Sequence, residues 1–87
     1  MYDVVISKQA LKAIRKLDKQ IALALLSWIE KNLKGTDDPR IHGKALKGKL
    51  SPFWRYRVGD YRILASIEDK KLTIIIITVG HRKEVYE

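Results

Sequence analysis

Arg55, Arg57, Arg62, His81, Arg82 and Tyr86 are the side chains of this 87-residue sequence best suited to chemistry on an anion. Arginine stays protonated and offers a planar fork of donors that matches phosphate or carboxylate bidentately. Histidine titrates near neutral pH, so it can move a proton as well as hold charge. The three hairpin arginines are brought together by register. If Gly59-Asp60 is the two-residue turn of a hairpin, Arg57 lies opposite Arg62 and Arg55 opposite Leu64. Trp54, Tyr56, Val58, Tyr61 and Ile63 then share one face and the three arginines the other. Like charges directly across a strand pair cost up to about 1 kcal/mol, so a chain that keeps them together is expected to offer them to an anion. His81, Arg82 and Tyr86 follow a glycine, Gly80, at the end of an apolar run. That is a common way to release functional groups at the rim of a sheet. Tyr86 serves either as an anchor into the core or as a ring on which a base stacks.

The elements that position these groups follow from periodicity. Tyr2 to Ile6 is apolar and β-branched, and it ends at Ser7, a suitable helix N-cap. Ala10, Leu11, Ile14 and Leu17 then recur at helical spacing. Asp18 caps a second helix with Ile21, Leu25, Leu26, Ile29 and Leu33 on one stripe, stopped at Gly35. Residues 35–43 have loop composition. From Trp54 the period is two, through the Gly59-Asp60 turn to Ile67. Leu72 to Val79 is apolar on both faces, as a covered central strand would be, and Gly80 is expected to interrupt it. The expectation is an α+β domain: a small antiparallel sheet of about four strands with the N-terminal helical pair packed on one face.

Composition bounds the partners. The chain carries 18 Lys+Arg against 10 Asp+Glu, a formal net charge of +8, and no cysteine. Its length allows one domain, residues 1–87, whose core has no disulfide or Cys-based metal site to reinforce it. No run approaches the roughly 18 apolar residues of a membrane helix, and the N-terminus lacks the pattern of a signal peptide, so a cytoplasmic protein without a membrane partner is expected. Between Arg40 and Arg62, seven Lys or Arg face one acid, leaving +6 in that stretch, with the remainder nearly balanced. Lys44, Lys47 and Lys49 belong to it and are candidate RNA-binding residues. A polyanionic partner, nucleic acid or an acidic protein, is the simplest complement.

Several segments together resemble the RelE/ParE superfamily of toxins from type II toxin–antitoxin pairs. They are Tyr2-Asp-Val-Val-Ile-Ser-Lys with Ala10-Leu-Lys and Leu17, then Lys44-Ala-Leu-Lys-Gly48, the hairpin Trp54 to Ile63, and Ile77-Thr-Val-Gly-His-Arg-Lys-Glu-Val-Tyr86. The resemblance implies the small sheet with its helical pair. In its RelE-like branch it implies a ribosome-dependent endoribonuclease that cleaves A-site mRNA without a metal or other cofactor, by attack of the messenger's 2′-hydroxyl on the adjacent phosphate. Carried over, Arg55, Arg57 and Arg62 hold the scissile phosphate, Arg82 acts near the leaving oxygen and Tyr86 stacks on a base. This sequence has arginine at 55 and 57 where lysines are familiar, so a lysine-type general base is absent there. Either His81 transfers the proton or catalysis rests on positioning and charge stabilisation.

The same resemblance implies a cognate antitoxin as protein partner, presenting an acidic or amphipathic segment, with promoter DNA reached only through that antitoxin. The alternatives are a ParE-like inhibitor of DNA gyrase, a nucleic-acid-binding module without cleavage, and a non-catalytic scaffold for the antitoxin.

Overall fold

A computed structural model describes residues 1–48 and 52–83. Five strands form one sheet in the order β1-β5-β4-β3-β2. The strands are β1 (Asp3–Ile6), β2 (Lys44–Ala45), β3 (Trp54–Val58), β4 (Tyr61–Glu68) and β5 (Thr73–His81). The helices, α1 (Lys8–Arg15) and α2 (Lys19–Asn32), supply the apolar stripe that covers one face. The α+β architecture with its helical pair is as expected, with two differences in the sheet. It is mixed rather than wholly antiparallel, because β1 runs parallel to β5, Asp3 beside Thr73 and Ile6 beside Ile76. The fifth strand, β2, is a two-residue edge pairing whose length gives no period to read.

Both helices start where their caps require. The Ser7 hydroxyl accepts from Ala10 N–H at 3.0 Å, and the Asp18 carboxylate accepts from Gln20 N–H at 3.1 Å. The core lies between helices and sheet: Ala10, Ile14, Leu25, Ile29 and Leu33 pack on Tyr56, Ile63, Ala65, Ile74, Ile76 and Val79. Leu11 of α1 and Leu26 of α2 are exposed instead, and the buried stripes are completed by Ala13 of the first helix and Leu17 just after it, and by Ala22 and Trp28 on the second.

β5 is an interior strand, though not the middle one, and it runs through Gly80 to His81 rather than stopping at the glycine. It carries a bulge. Leu64 pairs with Thr78 and Ala65 with Ile76, so Ile77 has no partner on β4. The Ser7 hydroxyl donates to the Ile77 carbonyl at 2.9 Å, tying the bulge to the start of α1. Beyond the bulge the faces exchange: Ile74 and Ile76 face the helices before it, Val79 and His81 after it. Among the described residues, no helix is long and apolar enough to cross a membrane.

Candidate anion-binding face of the sheet

The hairpin register is the one its turn dictates. Val58 pairs with Tyr61, Arg57 with Arg62, Tyr56 with Ile63 and Arg55 with Leu64. Gly59 has φ of +58° and Asp60 does not share a positive φ, the arrangement of a two-residue turn with glycine at its first central position. Tyr56 and Ile63 are fully buried under the helices. Alternation therefore sends Arg55, Arg57 and Arg62 to the helix-free face.

On that face the residues form two rows across the sheet. Lys44, Arg55, Leu64 and Thr78 make one, and Arg57, Arg62 and Gly80 the next. Lys44 is brought beside Arg55 by β2. The chain reaches that pairing through Gly43, with φ of +82°, where a Cβ would overlap the Arg55 carbonyl oxygen and crowd the Trp54 indole. Only glycine fits there.

The three arginines are not equivalent. Arg57 is exposed and Arg55 half-buried, whereas Arg62 is only 3% exposed. Arg62 Nη1 donates to the carbonyls of Gly59 at 2.9 Å and Tyr61 at 3.0 Å, so it braces the hairpin turn from within the sheet. Lys47 is exposed. Lys49 and Tyr86 lie outside the described residues.

The structure does not bring His81 to this face. The bulge at Ile77 turns it to the helix side, opposite Tyr61, and the two rings meet edge to face with centroids 5.4 Å apart. His81 Nδ1 accepts from Lys83 N–H at 3.2 Å. Arg82 is exposed and close to the hairpin turn: its N–H donates to the Asp60 carbonyl at 2.8 Å, and Nη1 stands 4.0 Å from the Asp60 carboxylate.

One member of the basic stretch is neutralised at long range. Arg40 donates through both Nη atoms to the two oxygens of Asp69, at 2.9 and 3.1 Å, and Tyr2 Oη donates to the same carboxylate at 2.7 Å. Arg40 and Tyr2 together hold the Asp69 carboxyl below its usual range. The hydrogen bond to Asp69 raises the Tyr2 hydroxyl. The Arg40 guanidinium also lies 5.9 Å from the Trp54 ring centre. Tyr56 Oη donates to the Pro39 carbonyl at 2.6 Å and Trp54 Nε1 to the His42 carbonyl at 2.6 Å, fastening the 37–43 loop to the sheet. Sequence reasoning missed this assembly, since Asp69 sits 29 residues beyond Arg40 in a polar turn of ordinary composition.

The face thus offers exposed cations, Lys44 and Arg57, around a half-buried Arg55, with Arg82 at the rim. It can hold an anion at fixed donors. Among the described residues it presents no side chain that readily accepts a proton, since its charged groups are Arg and Lys. Among the described residues, no three His, Cys, Asp or Glu side chains converge as a metal site would need.

Residues 4–86 match the family of ParE toxins of type II toxin–antitoxin systems (parDE). Toxin RelG of Mycobacterium tuberculosis is 31% identical over 85 residues, covering 98% of this chain and 95% of that protein. The RelBE2 toxin–antitoxin complex of the same organism is similar in structure, with a TM-score of 0.85 and 31% identity over 93% of this chain and 98% of that one. The isolated RelE toxin of E. coli gives a TM-score of 0.73 and 25% identity over 93% and 84%.

Proposed function

The chain belongs to the RelE/ParE superfamily of type II toxin–antitoxin toxins, and from that premise we propose that it is a ribosome-dependent endoribonuclease that cleaves A-site mRNA and so stops translation. The observation that supports this reading most is the helix-free face, where Lys44 of β2 stands beside Arg55 and Arg57 of β3, with Arg82 at the rim. In the proposed reaction the messenger's 2′-oxygen attacks the adjacent phosphorus as its proton passes to solvent water, and the departing 5′-oxygen takes up a proton from water in turn. The bond to the 5′-oxygen breaks, giving a 2′,3′-cyclic phosphate and a 5′-hydroxyl. Arg57 and Arg55 hold the non-bridging oxygens as negative charge builds, and Arg82 reaches the leaving oxygen. Arg62 acts as a positioning residue, bracing the turn that sets the register of Arg57 on β3. Lys44 and Lys47 track the flanking phosphates, with Lys49 beside them in sequence, and Tyr86 stacks on a base.

His81 faces away from the arginine rows, so its placement favours catalysis by positioning and charge stabilisation over proton transfer by this imidazole. The protein partner is a cognate antitoxin, as in the RelBE2 complex to which the chain is similar. An acidic segment of that partner complements the same cations.

One observation favours a second reading. The matching family description is that of ParE toxins, which suits a gyrase inhibitor. Brief expression followed by primer extension separates the two. Message cut within codons, with cyclic-phosphate ends, upholds the nuclease, whereas DNA breaks with intact message overturn it.

A further inference from the structure

The charge outside the arginine stretch is unevenly placed. Between residues 8 and 19 the chain has five bases, Lys8, Lys12, Arg15, Lys16 and Lys19, and one acid, Asp18. At 100° per residue, Lys8, Lys12 and Arg15 of α1 and Lys16 at its C-cap fall within an arc of about 100°, opposite Ala10, Ala13 and Ile14. All four are exposed, and none makes an ion pair among the described residues. For the helix itself the arrangement is mixed: Lys12 and Arg15 in the last turn suit its dipole, whereas the stripe also sets like charges side by side. Lys8–Lys12 and Lys12–Lys16 are like-charged i, i+4 pairs, and Lys8 lies in a first turn that has no acid to suit the helix dipole. A solvated surface helix ordinarily mixes signs on its outer face.

We propose that the outer stripe of α1 is a second phosphate-binding surface, by which the domain grips a base-paired RNA on the side of the sheet opposite its arginine rows. α1 lies along β5 on the helix-bearing face, so the two basic surfaces point in opposite directions. Lys8, Lys12 and Lys16 at one-turn spacing, with Arg15 beside Lys16, suit a phosphate backbone, because they meet phosphates without reading a base. A body 22 Å through its shortest extent can meet RNA on both sides when it enters a cleft walled by RNA. The ribosomal setting rests on the function proposed above, whereas the affinity of the stripe for structured RNA does not.

The test compares the full chain with a Lys8→Gln, Lys12→Gln, Arg15→Gln, Lys16→Gln variant. Binding is measured to purified ribosomes and to a 20-base-pair RNA hairpin across a salt series. Because the variant forgoes three to four phosphate–cation pairs, the slope of log affinity against log salt falls by about 3, so that between about 50 and 200 mM salt the parent weakens about 60-fold more than the variant. The removed like-charge pairs and the removed last-turn cations offset one another, so the melting temperature stays close to the parent's, which separates lost binding from lost folding. Cleavage at saturating ribosomes stays unchanged. Unchanged salt slopes on both RNAs overturn the proposal, as does a variant that loses antitoxin affinity while keeping its RNA affinity. If the parent binds the hairpin through the stripe but ignores ribosomes, the stripe stands and the ribosomal function falls.

Discussion

Arg57 and Arg62 face each other directly across the β3–β4 ladder, yet one guanidinium is in solvent and the other is sealed against the carbonyls of its own turn. The pair divides binding from bracing. Arg57→Ala removes an exposed cation and a like-charge neighbour, so stability changes by no more than about 0.5 kcal/mol. If Arg57 holds the phosphate, single-turnover cleavage of ribosome-bound mRNA falls by about 10²–10³. Arg62→Ala strips donors from the Gly59 and Tyr61 carbonyls and costs about 1–3 kcal/mol. Urea midpoints and single-turnover rates for both variants check this, and an Arg57→Ala variant that cleaves at the parent rate removes Arg57 from the site.

His81 stacks edge to face on Tyr61 instead of joining the arginines. His81→Ala therefore loses the ring contact, worth about 0.5–1.5 kcal/mol, and keeps cleavage within about threefold of the parent. A hundredfold loss of rate at unchanged melting temperature would restore the imidazole to the chemistry.

Much of this arrangement was legible in the sequence because its signals are local. Gly59-Asp60 fixes a hairpin register two residues away on either side, and Ser7 and Asp18 mark helix starts by what they bond within one turn. The side on which His81 emerges depends on the bulge at Ile77, and a run of Ile, Ile, Ile, Ile, Thr and Val has a single polar residue, Thr78, too little to mark the phase. The burial of Arg62 and the neutralising of Arg40 depend on contacts with a turn carbonyl and with a carboxylate 29 residues on. Neither type of contact leaves a period or motif in the chain.

Gly43 turns the loop into β2 where any side chain would strike the Arg55 carbonyl. Gly43→Ala adds that overlap to the cost of a left-handed backbone, for a loss of at least about 2 kcal/mol. Lys44 pairs with Arg55 one residue later, so if these cations hold RNA phosphates the same variant also weakens RNA binding at fixed salt. A Gly43→Ala protein with parental stability would show that the loop has room to shift.

Tyr56 is fully buried, and burial raises its hydroxyl well above the ordinary tyrosine value. A folded-state pKa above the unfolded one means that its contribution is fully present below about pH 10 and is lost as pH rises further. Tyr56→Phe leaves the Pro39 carbonyl without its donor and costs about 1–3 kcal/mol at neutral pH. In return the variant unfolds less steeply with alkali. Melting curves from pH 7 to 11 check both effects, and parallel alkaline limbs for parent and variant would contradict the assignment.

Asp69 sets the opposite limb. The hydrogen bonds from Arg40 and Tyr2 depress its carboxyl, so its contribution is present above the unfolded value of about 3.9 and disappears as pH falls through the lower, folded value. Asp69→Asn keeps the shape but not the charge. Its melting temperature should lie below the parent's from pH 5 to 7, and the difference should shrink steadily below pH 4 as the parent's carboxylate is protonated. Arg40→Gln removes the principal cause of the depression and should reproduce the same convergence. A gap between parent and Asp69→Asn that stays constant down to pH 2 would mean that the Arg40–Asp69–Tyr2 assembly holds the loop by packing and not by charge.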